Sequence, residues 1–125
     1  MAGSRTLGCR GTVAVEYALV LSALLIFVFG IMDAGRVLWT LTTLERAAEV
    51  AARCGAVNTA TCATAAEIQS YAATQAFGLT IASTAFTSST AACGALVTAS
   101  FPFTFVIPWI ATSGITLAAT ACYPL

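Results

Sequence analysis

The chain contains neither histidine nor lysine. These absences remove the commonest general base, the commonest metal ligand and the lysine of phosphate-binding loops. Charge is scarce throughout: charged residues make up 8% of the 125 and none follows Glu67, where an ordinary soluble domain carries roughly 25%. Five basic residues balance five acidic ones, so there is no electrostatic footprint for nucleic acid. Serine and threonine are plentiful, yet no neighbouring base is available to activate one as a nucleophile. The expectation is a protein that is not an enzyme, with no cofactor, no metal site and no small-molecule substrate. Proline is missing between Thr12 and Arg53, which permits one helix of roughly 40 residues, about 60 Å long.

What the chain has in abundance is apolar surface, at 59% of its residues. From Val13 to Met32 only Glu16 and Ser22 interrupt an apolar run, and Asp33 and Arg36 close it. As a helix, Thr12 to Met32 spans about 31 Å, one hydrocarbon core. Arg5 and Arg10 sit on the short N-terminal side, which places that end in the cytoplasm and the remainder across the membrane. The run is too long for the apolar region of a cleaved secretory signal and flows into a further helical pattern. The "LGC" at Leu7 to Cys9 is not a lipoprotein signal, because no apolar stretch precedes Cys9. An uncleaved single-pass anchor is one reading that remains.

Glu16 is the anomaly, since a carboxylate in hydrocarbon is costly and marks function. Gly11, four residues, then Glu16 and Tyr17, at the junction of a short basic leader and an apolar helix, resembles the prepilin-peptidase site of type IV pilins, and the Glu-Tyr pair resembles the Flp/Tad branch. The stretches "AVEYALVLSALLIFVFGIMDAGRVLW" and "LERAAEVAARCGAV" extend the likeness to the TadE-like minor pilins (pseudopilins) of the Tad/Flp type IV pilus system. The matching features are Ala-Val-Glu-aromatic, Gly30 before Asp33, the Gly35-Arg36 pair with Trp39, and the alanine-rich helix end. A proline commonly interrupts the membrane run of that family near Ser22-Ala23; its absence here implies a straighter helix.

The resemblance implies cleavage between Gly11 and Thr12 by a prepilin peptidase, leaving Thr12 as a new N-terminus. Its α-amino group carries positive charge near neutral pH. In low dielectric that amine and the Glu16 of a neighbouring subunit attract strongly, while either alone is penalised. Thr12, Glu16 and Tyr17 are thus the expected subunit-docking residues, Tyr17 adding a polar handle.

Beyond Arg36 the residues Val37, Leu41, Leu44, Ala48 and Ala51 form one apolar stripe at helical spacing. Glu49 and Arg53 are an i, i+4 pair on a more polar side, and Gly55 reads as the helix stop. The alanines of "ERAAEVAARC" suit close packing of a head against the helix, beyond their helix propensity. A second helix is expected over residues 64–77, with Ala65, Ile68, Ala72 and Ala76 on one face and Gly78 at its end. Strands are expected over 79–86, 95–107 and 115–123, separated by Ser-rich or Gly-containing turns. Phe101, Phe103 and Phe105 share one strand face, a core surface for the long helix or, alternatively, an adhesive patch. Pro102 among them points to a sheet edge or a bulge.

Cys9 belongs to the leader, leaving Cys54, Cys62, Cys93 and Cys122, an even number suited to an exported compartment. A zinc site is disfavoured because no C-x2-C pair occurs. Three connectivities are open. We favour Cys54–Cys62, stapling the loop after the first helix, and Cys93–Cys122, tying the last strand to an earlier one.

The fold expected is α+β and pilin-like: a leader at 1–11, a membrane helix at 12–33, its exported continuation at 34–57 and a small head with an antiparallel sheet at 58–125. The function expected is a minor pilin for Tad pilus assembly and surface attachment. Its partners are other pilin subunits, the prepilin peptidase, the inner-membrane assembly platform and the membrane itself. It resides first in the inner membrane, head exported, then in the periplasm or an extracellular pilus. The alternatives are a major filament subunit, or a membrane-anchored adhesin that never polymerises.

Overall fold

A computed structural model describes residues 10–107 and 113–125; Arg5, Cys9 and most of the leader lie outside them. One helix, α1 (Arg10–Val57), runs without interruption for 48 residues. It is followed by α2 (Ala65–Gln75), a 3-10 turn at Ser83–Ala85, and the strands β1 (Phe86–Ala91), β2 (Gly94–Phe103) and β3 (Ile115–Tyr123). The sheet is an antiparallel meander in the order β1-β2-β3. The architecture is α+β.

The two halves of α1 have different environments. Between Val13 and Met32 the large apolar side chains are all exposed, and this end supplies a window of mean hydropathy 2.3, enough to cross a membrane by length and composition. Past Arg36 the apolar stripe turns inward: Leu44, Ala47, Ala48, Ala51 and Ala52 are fully or almost fully buried. The alanines therefore do pack. They share one core with Val97 and Ala99 of β2 and Leu117 and Ala119 of β3. Small residues on both sides let helix and sheet approach closely, and Phe86, Ile68 and Phe103 supply the bulk.

Gly55 does not stop α1, which continues to Val57. Its role is steric, because a Cβ there would lie 2.8 Å from Ile68 Cδ1, so the bare backbone lets α2 seat against α1. The second helix is shorter than the periodicity predicts. Thr64 is its N-cap, not its first turn, and forms a capping box with Glu67 that satisfies two otherwise orphan groups. Ile68, Ala72 and Ala76 are buried as the pattern requires, whereas Ala65 is exposed. Gly78, with φ +78°, lies beyond the end of α2, where the chain turns in a conformation other residues resist.

The first strand is displaced from the expected 79–86. Residues 79–82 cross the core as irregular chain, with Leu79 and Ile81 partly buried, and the strand begins at Phe86. The Ser-rich stretch expected to turn is β1 itself. It works as a strand because only Phe86 needs burial, while Thr87, Ser89 and Thr90 are exposed on an outer strand. A two-residue turn at Ala92-Cys93 then joins Ala91 to its partner Gly94. The second strand ends at Phe103, short of the expected 107. Pro102 sits where β2 has a single neighbour, since pairing with β1 ceases at Ala99 while pairing with β3 continues to Phe103. Disulfides join Cys54 to Cys62 and Cys93 to Cys122. The first ties the end of α1 to the following loop, and the second links the hairpin turn to β3.

Phe86, 1% exposed, is the sole deep anchor of β1. Phe86→Ala is expected to destabilise the head by about 3–5 kcal/mol, whereas the outward-facing Thr87→Ala shifts it by under about 0.5 kcal/mol. Urea unfolding of the detergent-solubilised chain, followed by tryptophan fluorescence, checks the contrast.

Candidate functional site

One acidic residue lies inside the apolar run and another closes it, and the structure treats them in opposite ways. Gly11 and Thr12 lie in the first turn of α1, with Glu16 and Tyr17 one turn further, all exposed. Thr12 and Glu16 are four residues apart and so share a helix face. Among the described residues Glu16 makes neither a hydrogen bond nor an ion pair. By contrast the other polar group within the run is self-satisfied: the Ser22 hydroxyl donates to the Ala18 carbonyl at 2.6 Å.

Asp33 is 2% exposed, the most deeply buried charged residue described. Its Oδ2 accepts from the backbone N–H of Val106 at 3.0 Å and of Ile107 at 3.2 Å. Its Oδ1 accepts from Arg36 Nη1 at 2.9 Å, the only ion pair among the described residues, and shares the Val106 N–H at 3.2 Å. Both oxygens are therefore occupied, which removes the heavy cost of an unpaired buried carboxylate. Arg36 lies over the Phe103 ring at 5.0 Å, and Phe105 meets that ring edge-on at 5.4 Å. Thr40, one turn on, donates its hydroxyl to the Arg36 carbonyl at 2.8 Å. The result is a latch: a carboxylate at the end of the apolar run holds the segment after β2 against α1.

From the sequence Asp33 and Arg36 do no more than close the apolar run; their grip on residues 106–107 is a feature of the tertiary structure. The signal present in the sequence is the acid-to-arginine spacing of three, which favours a pair on one helix face. The Phe101, Phe103 and Phe105 stripe is part of the core, with Phe103 buried and the other two packed against it. Glu49 and Arg53 are exposed and form no ion pair among the described residues.

Residues 11–53 match the family model of TadE-like proteins. Over this segment the chain is similar to TadE-like proteins. The match begins at the glycine of the expected cleavage site, contains Glu16, Asp33 and Arg36, and ends within α1 before the head begins. No curated protein and no solved structure matches the chain. The TadE-like segment therefore covers the apolar run, the latch residues of α1 and most of the alanine face, while the sheet lies outside it.

Asp33→Ala leaves two backbone N–H groups of the latch without their acceptor. Hydrogen bonds to a charged group contribute about 1.5–3 kcal/mol each, so amide exchange at Val106 and Ile107 is expected to accelerate by tenfold or more, on the order of 1.4 kcal/mol per decade. Exchange within the β2–β3 ladder remains slow. Hydrogen exchange read by NMR or mass spectrometry checks this.

Proposed function

We propose that the chain is a minor pilin, or pseudopilin, of a Tad-type pilus, acting in assembly and surface attachment. The observation that carries this reading is the TadE-like match on an uninterrupted helix whose first half is apolar and exposed and whose second half carries a head. In this reading the leader is removed between Gly11 and Thr12 by a prepilin peptidase on the cytoplasmic face of the inner membrane. The helix holds the subunit in that membrane, head exported, until the assembly platform draws it into a filament. Proteolysis is done to the chain, and it performs no chemistry itself.

The unpartnered Glu16 supports the docking part of the proposal. Removal of the leader creates an amine at Thr12, and a neighbouring subunit brings that amine to Glu16 inside a low-dielectric bundle. Breaking a buried pair costs about 3–5 kcal/mol, so each wrongly registered contact is heavily disfavoured. A head whose 58 residues after Glu67 carry no charge offers neighbours a surface without like-charge repulsion.

The test is the intact mass and N-terminal residue of the protein from sheared filaments and, separately, from membranes. A chain that starts at Thr12, present in filaments well below the main subunit, is the expected result. Abundance equal to the main subunit points to a major pilin, and a chain confined to membranes with residues 1–11 retained refutes processing. Glu16→Ala is expected to leave insertion intact while filament incorporation collapses; unchanged incorporation refutes the docking role.

A further inference from the structure

Three large apolar side chains of the head side are left exposed close, along the chain or by contact, to where the apolar run ends. Trp39 is 62% exposed, Phe77 67% and Val106 61%. Trp39 lies beside Gly78, its Nε1 3.7 Å from where a Cβ would stand, and Gly78 follows Phe77 in the chain. Met32, the last residue of the run, lines the same open cleft as Arg36, Trp39 and Gly78. Val106 is held to Asp33, at the end of the run, by the latch.

Heights along α1 identify what meets this surface. Trp39 is six residues past Asp33, about 9 Å at 1.5 Å per residue, and helical side chains lean back toward the N-terminus. The polar layer of a bilayer adds about 5–7 Å beyond the hydrocarbon on each side. The indole therefore falls at the depth where tryptophan is enriched in membrane proteins. Arg36, about 4.5 Å nearer the run, is half-exposed although paired with the buried Asp33. The next charge along α1, Glu45, is about 18 Å beyond Asp33, clear of the lipid. An apolar rim beside a half-exposed guanidinium whose ion pair is neutral, with no exposed acid, fits phospholipid headgroups above acyl chains.

Resting on the reading of α1 as a membrane helix, we propose that Trp39, Phe77 and Val106, with Arg36 beside them, form a membrane-interface docking surface occupied by phospholipid of the leaflet on the head side. The latch and this surface together seat the head on the bilayer. Entry into a filament then requires the surface to leave lipid.

The test uses the full chain with Trp109→Phe, so that Trp39 is the sole tryptophan, in phosphatidylethanolamine–phosphatidylglycerol vesicles carrying bromine at graded acyl depths. Flotation reports insertion independently. The expected result is flotation together with quenching of Trp39 that is stronger from shallow than from deep bromines, and a loss of that quenching in Phe77→Ser. Flotation with Trp39 unquenched by any lipid and open to acrylamide overturns the docking surface while leaving the membrane helix intact. Protection from acrylamide without lipid quenching marks a protein neighbour there and overturns it equally. Failure to float overturns the membrane helix and the docking surface together.

Discussion

The Asp33 carboxylate is the point on which the rest of the structure depends. A helix that leaves a bilayer and a head built after it are, in principle, free to swing relative to each other. Here one buried anion at the boundary accepts from two backbone N–H groups of the chain after β2 and from Arg36. Unsatisfied, that charge would oppose burial strongly; satisfied, it fixes a distant segment to a single turn of α1. Because Phe103 lies under Arg36, the polar latch and the aromatic end of the core hold the same place.

Above the latch, close approach takes over from charge. Alanines on α1 meet alanines on β2 and β3, so the sheet lies close on the helix and few large side chains are needed. A head this small buries limited apolar area, and staples compensate for what it lacks. Cys54–Cys62 and Cys93–Cys122 constrain the loop after α1 and the far end of the sheet, the two places farthest from the latch along α1. The head is thus tied to α1 along most of that helix's second half.

The two acids of the N-terminal segment illustrate one rule with two outcomes. Each is expensive next to hydrocarbon, and each needs donors. Asp33 finds them within its own chain. Glu16 is exposed and finds none among the described residues. The TadE-like match spans both residues, and only Asp33 among the two is tied into the tertiary structure described.

What the sequence determined by itself was whatever depends on local pattern. Length and apolarity marked the run from Val13 to Met32, missing prolines allowed a single long helix, and the spacing of Leu44, Ala48 and Ala51 defined its buried face. The oddity of a glutamate in that run was legible for the same reason, since a cost to bury one group needs no knowledge of neighbours. The tertiary structure decided what depends on partners far along the chain. Gly55 reads locally as a stop but is a contact for Ile68, and the serines of 87–91 read as a turn but form a strand because β2 presents its edge to them. Asp33 read as a terminator of the run, whereas its meaning lies in N–H groups 73 and 74 residues away. Nothing within a helical turn of it records them, because a long-range hydrogen bond leaves no period in the sequence.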